Sequence, residues 1–373
     1  MQQCDVLIVG GGPAGSVCAW ALGRAGLDVV IVDAATFPRD KVCAGWITPQ
    51  VVSELGLDVD DYRRGRTCQP ITAFRTGIIG SADAIETMYD APVSYGIRRC
   101  EFDHHLLQRS GACMQLGLPI VSIDRHDSTW VVNDAIRAPL LVGAGGHFCP
   151  VARLLNGTLR APAAPLVVAQ EVEFAIDADD PAYAVRPEQP ELYFCRDLKG
   201  YGWCFRKGRH VNVGIGRLDR QSLPRATVEF VDFLKAGQRV PRDANWKWRG
   251  HAYLLHPSPR RVVDDGMLLI GDAAGLAYPE SGEGIRPAIE SGLMAASTIV
   301  EAHGRYARDE LHAYAERLRM RFGAPQAGWL ASWGTIGHEV ATTVARRLLR
   351  VPWFVRRVVL DRWFLHAQAQ ALT

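Results

Sequence analysis

Several features that would assign the chain to a special class are missing from its sequence. No run of about 18 apolar residues occurs, so nothing predicts a membrane-spanning helix. The formal net charge of +2 over 373 residues is too small to argue for nucleic-acid binding. No internal repeat and no low-complexity segment is found. With 48% hydrophobic and 22% charged residues, the composition is that of an ordinary globular protein.

Paired cysteines and targeting signals are also missing. The nine cysteines stand singly and no C-x-x-C pair occurs, which argues against a disulfide framework and against a zinc site. No metal site is predicted, because no spaced His/Glu cluster occurs. The N-terminus runs directly into an apolar segment without a basic region or a cleavage site, and we therefore predict a cytoplasmic location.

A glycine-rich turn between two apolar runs is the first positive signal. Residues 5–9 predict a strand, residues 16–25 a helix, and residues 27–32 a second strand that stops at Asp33. This order is a βαβ unit, which predicts a parallel sheet.

The turn itself has the spacing Gly10-x-Gly12-x-x-Gly15. Its glycines allow a sharp bend, close approach of a pyrophosphate and tight packing of helix on strand, and Asp33 is placed to bind ribose hydroxyls. The pattern predicts a dinucleotide site but does not distinguish FAD from NAD.

Further along the chain, two types of segment alternate. Residues 140–146 predict another buried strand with a glycine-rich turn, and residues 101–116 have helical periodicity. Alternating runs between residues 165 and 250 predict an antiparallel sheet, which we assign to a substrate domain. A last strand at 266–270 precedes a helix of small residues, from about 284 to 302.

A second glycine cluster follows that last strand. Gly271-Asp272-Ala273-Ala274-Gly275, then Pro279 and Gly282-Glu283-Gly284-Ile285, closely resembles the flavin-side motif of the para-hydroxybenzoate hydroxylase structural family. The resemblance implies FAD as cofactor, with Asp272 on the ribitol chain and the backbone N–H groups near Gly284 and Ile285 facing the flavin ring. Arg99, in Arg99-x-x-Phe102-Asp103, resembles the family's cofactor-contacting arginine. Gly145 stands where those hydroxylases carry an aspartate in a motif associated with both FAD and nicotinamide contacts.

Two other segments are more specific. Tyr201-Gly202-Trp203-Cys204-Phe205-Arg206, followed after seven residues by Gly214-Ile215-Gly216, resembles a box of the geranylgeranyl reductase family, although Arg206 replaces a proline. The stretch Arg39-Asp40-Lys41-Val42-Cys43-Ala44-Gly45 resembles a second stretch of that family and departs from it at Ala44.

The resemblance implies reduction of a carbon–carbon double bond in an apolar, isoprenoid-like small molecule or lipid, by hydride transfer from flavin N5. Two alternatives stay open: an FAD-dependent monooxygenase that hydroxylates an aromatic compound, and a flavoprotein that acts on a partner protein. The electron donor is left open between NADPH, NADH and ferredoxin.

The expected fold is α/β, with a Rossmann-type FAD-binding domain, an inserted antiparallel-sheet substrate domain and a helical C-terminal segment. The expected bounds are 1–66, 98–160 and 260–303 for the FAD domain, 67–97 and 161–259 for the substrate domain, and 304–373 for the C-terminal region. The candidate catalytic residues are Cys43, Tyr201, Trp203 and Phe205. The candidate cofactor-binding residues are Gly10, Gly12, Pro13, Ala14, Gly15, Asp33, Arg39, Lys41, Cys43, Ala44, Arg99, Gly271, Asp272, Pro279, Gly282, Gly284 and Ile285.

The C-terminal segment combines arginine pairs with Trp, Phe and Leu, and predicts a helix kinked at Pro352. Basic amphipathic segments bind anionic membrane surfaces, so residues 344–373 are a candidate for peripheral contact with the inner membrane face. The other interpretation is a helix that covers the substrate domain with its arginines in solvent.

Overall fold

A computed structural model of the protein describes residues 1–157, 166–177, 183–258, 260–323 and 338–372. The strands are β1 (Gln2–Gln3), β2 (Val6–Val9), β3 (Val29–Asp33), β4 (Trp46–Ile47), β5 (Cys68–Ile71), β6 (Ala73–Ile78), β7 (Ala84–Met88), β8 (Ser94–Ile97), β9 (Cys113–Leu116), β10 (Ile123–His126), β11 (Thr129–Val132), β12 (Ile136–Ala138), β13 (Leu140–Gly143), β14 (Leu166–Ala175), β15 (Glu191–Phe194), β16 (Gly200–Lys207), β17 (His210–Arg217), β18 (Arg249–Leu254), β19 (Val263–Asp264) and β20 (Met267–Leu269).

The α-helices are α1 (Pro13–Arg24), α2 (Pro49–Leu55), α3 (Val59–Tyr62), α4 (Arg99–Arg109), α5 (Pro150–Asn156), α6 (Leu223–Ala236), α7 (Ile285–Glu301), α8 (Arg308–Phe322), α9 (His338–Leu348) and α10 (Pro352–Phe354). Short 3-10 helices cover Gly146–Phe148 and Gly271–Ala273, and a π-helix covers Val355–Phe364. Within the described ranges, no helix combines the length and the apolar character needed to cross a membrane.

The chain forms two compact units, and the first comprises residues 1–40, 100–165 and 253–326. Its main sheet has the order β19-β20-β13-β2-β3-β9, and β2 pairs in parallel with β3 and β13. Strands β2 and β3 are apolar and buried because helices cover such a sheet on its faces. This is the expected Rossmann-type FAD-binding fold.

The second unit comprises residues 41–99, 166–252 and 327–373. Its main sheet has the order β18-β14-β17-β16-β15-β6-β7. Strands β14, β17, β16 and β15 pair antiparallel, as expected, whereas β15 pairs in parallel with β6 from an earlier chain segment. The helix α6 covers one face, where Phe230 and Leu234 join a cluster with Val213 and Ile215.

Two predicted helices differ from the structure. The helix predicted over 101–116 is wrong at its C-terminal part: α4 ends at Arg109, Gly111 adopts a positive φ, and residues 113–116 form strand β9, which pairs with β3. Tertiary pairing therefore overrides the local periodicity. At the C-terminus, the predicted single helix with a kink at Pro352 is also wrong. Helix α9 ends at Leu348, and Pro352 is the first residue of a separate helix, a position that suits proline.

The two compact units have different bounds from the predicted functional domains. The domain bounds stay a prediction. Residues 41–66 belong to the second unit, and α8 belongs to the first unit although it falls in the predicted C-terminal region. Outside the described residues lie 158–160 of the predicted FAD domain, 161–165, 178–182 and 259 of the predicted substrate domain, and 324–337 and 373 of the predicted C-terminal region.

Candidate cofactor and substrate sites

The first glycine turn joins β2 to α1 in the first unit. A Cβ added at Gly15 would lie 2.0 Å from the carbonyl oxygen of Gly10, and one added at Gly10 would lie 2.4 Å from that of Ala144. Only glycine fits this close contact. Gly12 precedes α1, whose first residue is Pro13, and no side chain caps the helix there. The N-terminal amides of α1 thus suit an anionic ligand such as a pyrophosphate.

An acid and an arginine flank this turn. The Asp33 carboxylate accepts hydrogen bonds from the backbone N–H groups of Gly11, at 2.7 Å, and Ala35, at 2.8 Å. Arg39 pairs with buried Asp103 of α4 at 3.4 Å, and its Nη2 would lie 3.4 Å from a Cβ at Gly12. The guanidinium therefore stands beside the amides that would meet a pyrophosphate.

The second glycine turn lies against the first in the same unit. A Cβ added at Gly271 would be 3.1 Å from the Cβ of Ala14, and one at Gly292 of α7 would be 2.6 Å from the Ala14 carbonyl oxygen. The Asp272 Oδ1 would lie 3.1 Å from a Cβ at Gly284, the residue before α7. The structure thus brings the two predicted cofactor turns together.

The segment between Asp272 and α7 is tightly fixed. Gly282 has a positive φ, and an added Cβ would meet the Tyr253 hydroxyl at 2.3 Å. The Glu283 carboxylate accepts a hydrogen bond from the Arg286 N–H at 2.7 Å, and burial raises the pKa of Glu283 to about 7. Pro279, predicted from the motif, lies half-buried in this segment.

Arg260 was not predicted from the sequence, yet it supports the same turn. It donates hydrogen bonds to the carbonyl oxygens of Ala273, at 2.7 Å, and Asp272, at 3.3 Å. Burial lowers the pKa of this guanidinium. An isolated arginine in an irregular segment gives no sequence signal for this role.

In the second unit, the aromatic box lies on β16 and faces β17. The register pairs Trp203 with Gly214 and Tyr201 with Gly216. A Cβ at Gly214 would lie 2.2 Å from the indole of Trp203, so the Gly-x-Gly element makes room for this ring across the sheet. This packing explains the seven-residue spacing of the box.

The three box residues differ in exposure. Phe205 is fully buried against Trp46, with ring centroids 5.9 Å apart, and Trp203 is 5% exposed. Tyr201 is half-buried and meets Phe364 of the π-helix edge-on at 5.1 Å. Of the three, Tyr201 presents the most accessible ring.

The loop Cys43–Gly45, which we call the Cys43 loop, is held by polar side chains of the same unit. The Glu171 carboxylate accepts a hydrogen bond from the Cys43 N–H at 2.6 Å. Asn212 donates to the Cys43 carbonyl at 3.4 Å, and Lys207 donates to the Ala44 carbonyl at 3.0 Å. These three partners were missed because each is a single polar residue within a strand.

The remaining predicted cofactor residues are placed as follows. Lys41 belongs to the second unit, where its Nζ contacts the His251 ring. Arg99 is buried at the first residue of α4. The nine cysteines are free thiols, and among the residues that the structure describes no group of three His, Cys, Asp or Glu side chains could hold a metal ion.

Comparison with known proteins agrees with this geometry. A family model described as FAD dependent oxidoreductase matches residues 5–83. A menaquinone reductase of Mycobacterium tuberculosis is 30% identical over 326 residues, which cover 80% of this chain and 77% of that protein. A digeranylgeranylglycerophospholipid reductase of Methanopyrus kandleri is 29% identical, covering 81% of each chain. A geranylgeranyl bacteriochlorophyll reductase-like structure from Thermoplasma acidophilum has a TM-score of 0.74 at 22% identity, covering 94% of this chain and 88% of that one.

The fold and the glycine turns, together with these similarities, define an FAD-dependent oxidoreductase. Within that class, the chain belongs to the geranylgeranyl reductase family.

Proposed function

We propose that the protein reduces a carbon–carbon double bond of an apolar, isoprenoid-like substrate. The observation that carries this proposal is the aromatic cluster around Tyr201 in the second unit, in which Tyr201 is the half-buried ring of the box. Its ring lies 5.1 Å from that of Phe364, 6.0 Å from Trp203 and 6.2 Å from Phe194. Partly accessible rings backed by buried aromatic side chains suit a flexible hydrocarbon chain better than a charged metabolite. The similar reductases are named for a quinone and for a geranylgeranyl lipid.

The proposed FAD site consists of the two glycine turns of the first unit. The amides of α1 and Arg39 would hold the pyrophosphate, and Asp33 would bind the adenosine ribose. Asp272 would bind the ribitol chain. When bound, FAD supplies the hydride for the reduction. The protein's own tasks are to bind the apolar chain, to exclude water and to admit one proton to the second carbon.

A direct test uses the FAD-loaded protein, reduced anaerobically with dithionite, and a digeranylgeranyl lipid or menaquinone as probe. Mass spectrometry should show a gain of two hydrogen atoms for each double bond reduced. A gain of one oxygen atom on an aromatic compound, in air with NADH or NADPH, would instead identify a monooxygenase. The same assay with NADPH, NADH or ferredoxin in place of dithionite identifies the electron donor. Product formation in none of these assays would contradict the proposal.

The role of the Tyr201 ring has its own variants. Removing a contacting aromatic ring loses about 2 kcal/mol of burial energy, so Tyr201→Ala should raise KM for the lipid at least tenfold. Tyr201→Phe keeps the ring and should stay close to the wild type. An equally large rise in KM for both variants would show that the hydroxyl, and not the apolar ring, is the important group.

Peripheral contact with an anionic membrane is proposed for the C-terminal segment. Trp353 is 66% exposed, and Arg346, Arg347, Arg350 and Arg356 are exposed near it in sequence. A tryptophan ring with nearby arginines matches the composition of membrane-surface segments. Whole-segment truncation is a poor test because Phe364 and Leu360 are fully buried in the second unit.

The sharper experiment is Trp353→Ala in sedimentation with vesicles that contain anionic phospholipid. We expect less protein in the vesicle pellet than for the wild type. Val228→Ala, at an exposed apolar position of α6, should sediment like the wild type. Unchanged sedimentation of Trp353→Ala would favour a cover role for the segment.

A further inference from the structure

The sheet of the second unit carries a cluster of buried polar side chains on the face of the aromatic box. The register places Glu171 opposite Gly214 and Glu173 opposite Asn212, and the next strand, β16, places Trp203 and Phe205 in the same rows. Alternation along each strand puts these residues on one face with Lys207. A polar cluster among buried aromatic rings is costly unless its hydrogen bonds are satisfied.

The polar groups of this cluster form hydrogen bonds and ion pairs with one another and with backbone carbonyl groups. The Lys207 ammonium is fully buried, pairs with Glu173 at 2.5 Å and donates to the Ile97 carbonyl at 2.9 Å. Asn212 donates to Glu173 at 3.1 Å and accepts from the Trp203 indole N–H at 2.7 Å. Arg98 adds a further pair with Glu173 at 3.1 Å.

What this cluster holds is the Cys43 loop. Its three residues receive a side-chain or backbone partner at each step: Glu171 and Asn212 at Cys43, Lys207 at Ala44, and the Ile97 N–H, which donates to the Gly45 carbonyl at 2.8 Å. Gly45 has a positive φ, and an added Cβ would lie 2.4 Å from the Ile97 carbonyl oxygen. The loop is therefore fitted to the cluster at its backbone, independently of the Cys43 thiol.

The contact at Glu171 differs from the other contacts because the Glu171 carboxyl group changes its charge near neutral pH. Glu171 is 6% exposed, and burial raises its pKa to about 7, while Lys207 and the Cys43 N–H act in the opposite direction. The groups that face it are Lys207 from β16, Glu173 from its own strand, and Asn212 from β17. A carboxylate accepts a hydrogen bond more strongly than a neutral carboxyl group does.

We propose that Glu171 is the positioning residue of the Cys43 loop, and that ionisation of its carboxyl group tightens the loop. This inference rests on the proposed function and on the prediction from the sequence that Cys43 belongs to the reaction site. It adds that the geometry of this site depends on the protonation of a residue that contacts the loop only at its backbone.

The test is amide hydrogen exchange of the FAD-loaded protein from pH 5.5 to 8.5, read on peptides that span residues 42–46. Each rate is divided by the rate of the same peptide unfolded, which removes the intrinsic pH dependence. Protection in the wild type should increase about fivefold as the pH rises through 7. In Glu171→Gln, which keeps an acceptor but cannot titrate, protection should be independent of pH.

A matched control is Glu191→Gln, which changes another buried carboxyl of the same unit. Glu191 contacts Tyr193 and Arg239 and its pKa is also raised by burial. This variant should retain the wild-type profile. A wild-type profile in Glu171→Gln, or loss of the profile in Glu191→Gln, would overturn the proposal.

A second variant guards against misfolding of Glu171→Gln. Glu171→Asp keeps the charge but withdraws the acceptor, so protection at the loop should fall at every pH; protection at the wild-type level would contradict the proposal. No substrate is present in these experiments. A flat wild-type profile therefore contradicts this inference alone, whereas failure to reduce a lipid contradicts the proposed function alone.

Discussion

At the scale of single residues, Glu171 determines part of the pH dependence of stability. Its pKa in the folded protein is raised to about 7, above the ordinary value of 4.5, because burial disfavours the charged form. Between these two values the folded protein binds a proton that the unfolded chain has lost. The contribution of Glu171 to stability is therefore fully present below pH 4.5 and is lost as the pH rises through 7.

Glu171→Gln removes this loss, because its amide resembles the protonated acid. We expect the stability of the variant relative to the wild type to increase by about 2 kcal/mol from pH 5 to pH 8. Urea denaturation at both pH values, followed by tryptophan fluorescence, measures the difference. Glu229→Gln on the exposed side of α6 should show little change. A relative stability of Glu171→Gln that is constant with pH would refute the assignment.

At the scale of elements, the contact between α1 and α7 positions the two cofactor turns. Gly292 allows it, because an added Cβ would lie 2.6 Å from the Ala14 carbonyl oxygen and 3.3 Å from the Cys18 nitrogen, both backbone atoms. Backbone atoms cannot rotate away as a side chain does, so the helices themselves would have to separate. A small residue in a helix is here a requirement of packing.

Gly292→Ala should therefore cost about 1–3 kcal/mol of stability through overpacking and should weaken FAD binding. The matched control is Gly23→Ala in α1, where the nearest atom would be 3.8 Å away. That variant should gain about 0.5–1 kcal/mol, since alanine is the better helix former. Thermal denaturation and FAD titration of both variants measure the contrast. A gain in stability for both variants would show that helix propensity, and not the contact with α1, dominates.

The elements also show why sequence reasoning succeeded at some places and failed at others. The βαβ unit and the box on β16 were predictable because glycine spacing and alternation are local signals. Strand β9 was not, because its partner β3 lies about 80 residues earlier in the chain and helical periodicity covered both parts of 101–116. The polar partners of the Cys43 loop come from three strands that only the fold brings together.

At the scale of the whole molecule, the FAD-binding unit is assembled from three separate segments of chain. The sequence indicated this return of the chain, since residues 140–146 and 266–270 predict buried strands that lead into glycine turns. The exact division could not be predicted, because it depends on tertiary contacts of residues such as those of α8. A cofactor that binds across turns from different segments should stabilise the assembled unit.

Substitution of Asp33 tests how strongly FAD binding stabilises the folded protein. FAD at one hundred times its Kd should stabilise the wild-type apoprotein by about 2.7 kcal/mol, because it binds only the folded state. Loss of a charged hydrogen bond to ribose costs about 1.5 kcal/mol or more, roughly tenfold in affinity. At the same FAD concentration, Asp33→Ala should therefore retain about half of the stabilisation.

Asp28→Ala, just before the other end of β3, should retain all of it. The comparison uses the FAD-dependent change of each variant, because Asp33 also binds two backbone N–H groups whose loss lowers the stability of the apoprotein itself. An FAD-dependent gain in Asp33→Ala equal to that of the wild type would mean that Asp33 shapes the turn without contacting the cofactor.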